Sequence, residues 1–177
     1  TRAFIPNGSQ IIPGFASAGG AIDLLIRGVG PGLIPFNVSG VLPNPILALY
    51  LRHANIANND DWSSTSRNRE EVMLASNRVG AFPLQNGSRD AAMLVNLTGQ
   101  SHTVVTSGDS GTAGEALVEL YAVAGQNSRT GFLINTSNRA HVAQNSQLIM
   151  GFAISGGPAR VLMRAVGPSL SSFGVSN

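Results

Sequence analysis

Four groups of residues in this chain are of types that could do chemistry. Gly108-Asp109-Ser110-Gly111 has the order of a serine nucleophile segment, with His53 and Asp60 or Asp61 upstream. A serine hydroxyl needs a base, and the base an orienting carboxylate. His53 lacks the apolar-Ala-Ala-His setting of such a base, and the spacing is cramped for two barrels. The glycines of 108–114 are read instead as a hairpin turn between strands at 102–107 and 115–123.

Gly28-x-Gly30-x-Gly32 follows an apolar run, where a nucleotide loop could open, but its spacing departs from the dinucleotide pattern and Pro31 interrupts it. Asn58, Asn59, Asp60 and Asp61, joined by Asp90, offer hard oxygen ligands and form a candidate Ca²⁺ site, although EF-hand spacing is absent. The alternative is an Asx-type turn anchored by Trp62. His53, His102 and His141 share no spacing that suits zinc. No nucleophile, base and orienting group can be assembled, so no catalytic and no cofactor-binding residues are assigned and the chain is not read as an enzyme.

The most informative candidates are Arg27 and Arg164, because they occupy matching places in a duplication. Residues 2–40 laid over 139–177 without a gap agree at nineteen of thirty-nine positions. Leu-Ile-Arg-Gly-Val-Gly-Pro-Gly-Leu (25–33) faces Leu-Met-Arg-Ala-Val-Gly-Pro-Ser-Leu (162–170), and Phe36 faces Phe173. Gly28 and Gly32 become Ala165 and Ser169, which a pyrophosphate-binding loop would not tolerate, so the segment is read as a turn. An offset of 137 is a whole module and far exceeds the period of a solenoid or propeller. An arginine within an apolar strand either points outward or is buried beside a carboxylate, for which Glu119, Glu115, Asp90 and Asp23 are the candidates.

The elements that must position these residues are strands. Short apolar or alternating runs at 10–16, 22–29, 46–52, 91–97, 102–107, 115–123, 130–135, 147–154 and 160–166 are separated by turn residues such as Asn7-Gly8, Gly19-Gly20, Asn86-Gly87 and Gly156-Gly157-Pro158. One helix is expected at 66–77, after a Ser/Thr cluster able to cap it. The fold class is therefore all-β: an antiparallel β-sandwich or jelly-roll-like module plus a partial copy of its neighbour. Its expected divisions are 1–40 as a partial repeat copy, 41–126 as an unrepeated block and 127–177 as the second copy.

Composition narrows the function classes. Hydrophobic residues make up 43% of the 177 and charged residues 11%, a balance too apolar for an unfolded chain. Every basic residue is arginine, the eleven are scattered and the net charge is +2, which is no footprint for nucleic acid. There is no cysteine, hence no disulfide or thiolate chemistry, and no apolar run approaches the length of a membrane span. The absence of an opening methionine or leader is taken to mean a processed or partial stretch of a longer protein. Asn7, Asn37, Asn86, Asn96 and Asn135 begin Asn-x-Ser/Thr triplets, which an Asn- and Ser-rich chain produces by chance.

The motifs Leu-Pro-Asn-Pro-Ile-Leu-Ala-Leu-Tyr (42–50), Asn-Asn-Asp-Asp-Trp (58–62), Val-Gly-Ala-Phe-Pro-Leu (79–84), Ser-Arg-Asp-Ala-Ala-Met-Leu (88–94) and Ala-Leu-Val-Glu-Leu-Tyr (116–121) follow the arginine segment in order. Together they resemble modules that recur in large secreted or cell-surface proteins of Verrucomicrobia-type environmental bacteria. That resemblance implies export, a cell-surface or extracellular location and repetition, and supplies no catalytic residues. The expected function is a structural subunit or tandem repeat of an extracellular filament. Copies would join head to tail through the duplicated ends, with Arg27, Phe36, Arg164 and Phe173 as interface residues. The alternative is a glycan- or surface-binding accessory module, with Trp62 in the polar loop 53–69 as a stacking platform.

Overall fold

A computed structural model describes residues 1–123, 131–154 and 157–175. The expected division at 126/127, the first residue of the 130–135 run and Gly156 of the second glycine turn lie outside the described residues.

Among the described residues nine antiparallel strands form two sheets. The first sheet has the order β1 (Arg2–Ile5), β8 (Gly114–Val123), β3 (Ile22–Val29), β6 (Ala91–Leu97). The second has the order β5 (Ala54–Asn59), β4 (Pro45–Leu51), β7 (Ser101–Gly108), β2 (Gln10–Ala18), β9 (Phe132–Arg139). The all-β sandwich expected from the strand patterns is thus the fold. Sequence patterning missed β1, which has only four residues, and β5, whose Asn-rich and largely exposed residues carry no apolar signal.

Alternation explains which faces meet. In β2, Ile11, Pro13, Phe15 and Ser17 are buried while their neighbours are half-buried or exposed, the period-two pattern of a strand with one face on a core. β3 differs, because seven of its eight residues are buried. Leu24 and Ile26 pack with Phe15, Leu47, Leu49 and Val104 between the sheets. Leu25 and Val29 face the other way, against Val72 and Ala75 of the helix α1 (Ser66–Val79). A strand covered on both faces must be apolar on both, and β3 is.

The helix forms where its start and stop signals stand. Thr65 Oγ1 accepts from Asn68 N, and Gly80 takes the left-handed conformation at φ 70° that ends the last turn. The helix is anchored as well as packed: Asn68 Nδ2 donates to the carbonyls of Trp62 and Ala92 at 2.6 and 3.0 Å.

Residues 108–114 do not make the expected hairpin. β7 and β8 lie in different sheets, so the segment is a corner that carries the chain from one layer to the other. A Cβ at Gly108 would run into Thr112 and one at Gly114 into the backbone of Val41 and Leu42, which leaves no room for a side chain at either position.

Candidate functional site: the two copies of the repeat

The first copy lies at the centre of the sandwich. β3 is hydrogen-bonded to β6 on one side and β8 on the other, and β2 to β7 and β9. Arg27 has no exposed surface. Its Nε lies 3.1 Å from Glu119 Oε2, an ion pair without hydrogen-bond alignment, and its Nη1 donates to the Phe82 carbonyl at 2.9 Å. The guanidinium also stands 4.4 Å over the Phe82 ring. Burial lowers the Arg27 pKa, and the charge of Glu119 opposes that shift. Tyr121 completes the group: its hydroxyl donates to Glu119 Oε1 at 2.7 Å, and its pKa is pushed up to about 12, first by burial and then by that bond.

The turn after β3 is held by a carboxylate from a distant part of the chain. Asp90 Oδ1 accepts from the backbone N–H groups of Gly30 and Gly32 at 2.9 and 3.0 Å, and Oδ2 accepts from Ser88. The amides that a phosphate would need in Gly28-x-Gly30-x-Gly32 already hold an internal anion. Asp90 was a candidate calcium ligand and is committed here; Asn59, another, accepts from Ala92 N at 2.8 Å. Asn58 accepts from Asn55. Asp60 is exposed, and its pKa is raised by desolvation and by the charges of Asp61 and Asp109. Among the described residues no three acidic, histidine or cysteine side chains come together as a metal would require.

Two other candidates are placed inside the module. Trp62 is only 2% exposed, and its indole N–H is shared between the Gln85 carbonyl and Ser88 Oγ at 3.2 Å each, so it offers no platform for a sugar. His102 is buried and stacks on Phe15 at 5.3 Å, while His53 and His141 are exposed.

The second copy has the same local instructions and a different fate. Pro168–Phe173 repeats the 3-10 turn of Pro31–Phe36: Gly167 adopts φ −127°, ψ −82° where Gly30 has −123°, −77°. Gly174 closes the turn in the left-handed region, as Asn37 does. Yet the runs 147–154 and 160–166 are not strands; among their described residues only Ile149 makes a bridge, to Arg2. A strand needs a neighbour to accept its backbone hydrogen bonds; β6, β7 and β8 are such neighbours for the first copy, and among the described residues no strand stands in their places beside the second.

Exposure measures the difference. Leu25 and Ile26 are fully buried, whereas their counterparts Leu162 and Met163 are 84% and 73% exposed. Phe152, in the place of buried Phe15, is half exposed, and Arg164 lies in the open where Arg27 is sealed. The contrast is smaller at Phe36, which is 56% exposed and meets Phe82 edge-on at 4.9 Å, while Phe173 is 80% exposed. Residues 147–154 and 160–166 thus carry much of the apolar pattern of β2 and β3 with most of those side chains exposed.

No known protein family, curated protein or solved structure matches this chain.

Proposed function

We propose that the chain is a structural repeat module of an extracellular fibre, joined head to tail with further modules through its duplicated terminal β segments. One observation carries this reading: a segment whose first copy is the interior of a sandwich is present again with its apolar residues exposed. Covering Phe152, Ile154, Val161, Leu162 and Met163 as their counterparts are covered would contribute on the order of 10 kcal/mol. The first copy indicates what does the covering: a block built like residues 41–123, with strands in the places of β6, β7 and β8. A contact in which one end of a module needs the body of the next does not close on itself and extends into a filament. The resemblance to modules of large exported surface proteins supports the location.

Electron microscopy of the native material, with its mass under denaturing conditions, tests the proposal. Filaments of regular axial repeat are expected; dispersed globules would refute the fibre. A single very large polypeptide would mean covalent tandem repeats, and subunits near 18.3 kDa would mean strand exchange between separate chains.

A further inference from the structure

Repeat spacing and strand register together locate the junction between modules. Thr1 and Val118 exchange backbone hydrogen bonds at 2.7 Å, so the next pair, Arg2 with Leu117, is of the kind without them. The N–H and C=O of Arg2 therefore face away from β8. That outer edge is filled by Ile149: Arg2 N donates to Ile149 O at 2.8 Å, and Ile149 N donates to Arg2 O at 2.9 Å.

The partners are related by the duplication. Ile149 is the counterpart of Ile12, and Arg2 is the counterpart of Arg139. Ile12 and Arg139 are themselves a registered pair of β2 and β9. The bridge is thus the same pairing with the copies exchanged. Side chains follow the backbone, since Ala140 and Leu148, counterparts of Ala3 and Ile11, pack against the cluster that contains Ala3 and Ile11.

Arg139 is the last residue of β9 and stands where a second β1 would begin. We infer that each repeat arginine is shared by two modules: β9 of one runs without a linker into β1 of the next. The five-stranded sheet of the first is then hydrogen-bonded edge to edge, through this arginine, to the four-stranded sheet of the second. In an array, the edge of Arg2 that Ile149 fills here belongs to the Ile12 position of the preceding module. The inference rests on the repeat-module reading and gives it a defined partner contact, a neighbouring copy of the same sandwich.

The test is a polypeptide in which the full chain is followed by a second copy of residues 41–138, so that residues 139–177 acquire a block of their own. Two residues of the second copy, Ala165 and Ser169, crowd its fit, because a Cβ at Gly28 would lie 3.0 Å from Leu47 and one at Gly32 2.8 Å from Val29 Cγ1 and 3.1 Å from Asp90 Oδ2. A parallel version therefore carries Ala165→Gly and Ser169→Gly. The expected result is two folded modules that tumble as one body by NMR relaxation, and a fall in correlation time when a glycine-serine linker is inserted after Arg139. Two folded modules that already tumble independently without the linker would overturn the shared strand and leave the repeat reading intact. Rapid proteolysis of everything beyond residue 139 in both versions would overturn the repeat reading, and this inference with it.

Discussion

The two copies of the repeat pose the same sequence to two environments. In both, Gly-Pro-x-Leu builds the same 3-10 turn with nearly the same entering dihedrals. Proline fixes φ and the closing residue accepts a left-handed conformation, so that turn is encoded by a few adjacent residues. The strands before it are not encoded in this way. Gln10–Ala18 and Ile22–Val29 are strands because β6, β7, β8 and β9 lie beside them; among the described residues of their counterparts, which lack those neighbours, the bridge of Ile149 to Arg2 is the whole of the pairing. A repeated sequence thus carries its turns with it and leaves its strands to be completed.

Matched substitutions in the two copies test this contrast. The largest effect is expected at the buried arginine. Arg27→Ala strands Glu119 in a site only 13% exposed and should cost about 3–5 kcal/mol by urea unfolding, against a change within about 0.5 kcal/mol for Arg164→Ala. Equal losses at both positions would abolish the distinction. Phe15→Ala removes a core ring and its stacking on His102, for an expected loss of about 3–5 kcal/mol, while Phe152→Ala should be nearly silent in the isolated chain.

Gly30→Ala comes next. Its Cβ would stand inside the van der Waals envelope of the Leu42 carbonyl, so the backbone must move at a cost of about 1–3 kcal/mol. Gly167→Ala meets nothing within 4 Å and should leave the thermal midpoint unchanged. In a two-module polypeptide each silent partner should become costly, which turns the same series into an assay for completion of the second module.

The smallest effect is the pH dependence from His102. Desolvation lowers its pKa in the folded state below the ordinary 6.5. The unfolded chain then binds the proton more readily, so this contribution to stability is present above pH 6.5 and is lost as pH falls through the lowered folded value. Urea midpoints between pH 7 and pH 5 should decline, and His102→Phe should flatten that decline. An unaltered slope in the variant would assign the pH dependence to other groups.

How much of this was legible in the sequence depends on the range of the interaction. The helix could be read at 66–77, two residues short of its end at Val79, because the Ser/Thr cluster that caps it stands beside it in sequence. Most strands of the block could be read from alternation and turn residues. The path between sheets could not: Gly108 to Gly114 looks like a hairpin because its flanking strands are adjacent in sequence, and it is a corner because β7 pairs with β4 and β2 while β8 pairs with β1 and β3. The role of Asp90 was equally hidden, since its partners Gly30 and Gly32 lie about sixty residues away. Nothing local distinguishes a carboxylate that holds two backbone amides from one that would hold a cation. Trp62 in a polar loop gave the wrong impression for a similar reason, since it belongs to a buried cluster whose members come from as far as Leu25 and Val123. The importance of Arg27 and Arg164 was visible because the duplication repeats an arginine inside an apolar run; which of the two is buried was not, because that depends on strands outside the segment.

The strand order sets a timetable for synthesis. β1 finds its place only against β8, and β2 only between β7 and β9, so the first strands to be made are paired by the last. Pairings this remote in sequence are slow to close. A growing chain must therefore carry Ile11, Phe15, Leu24 and Ile26 uncovered until β7 and β8 exist, and in an array of modules each newly made repeat segment waits in the same way. Until those strands are made, the same side chains are open to pairing with the wrong partner, so the interval before β7 and β8 emerge is when the chain is most prone to aggregate.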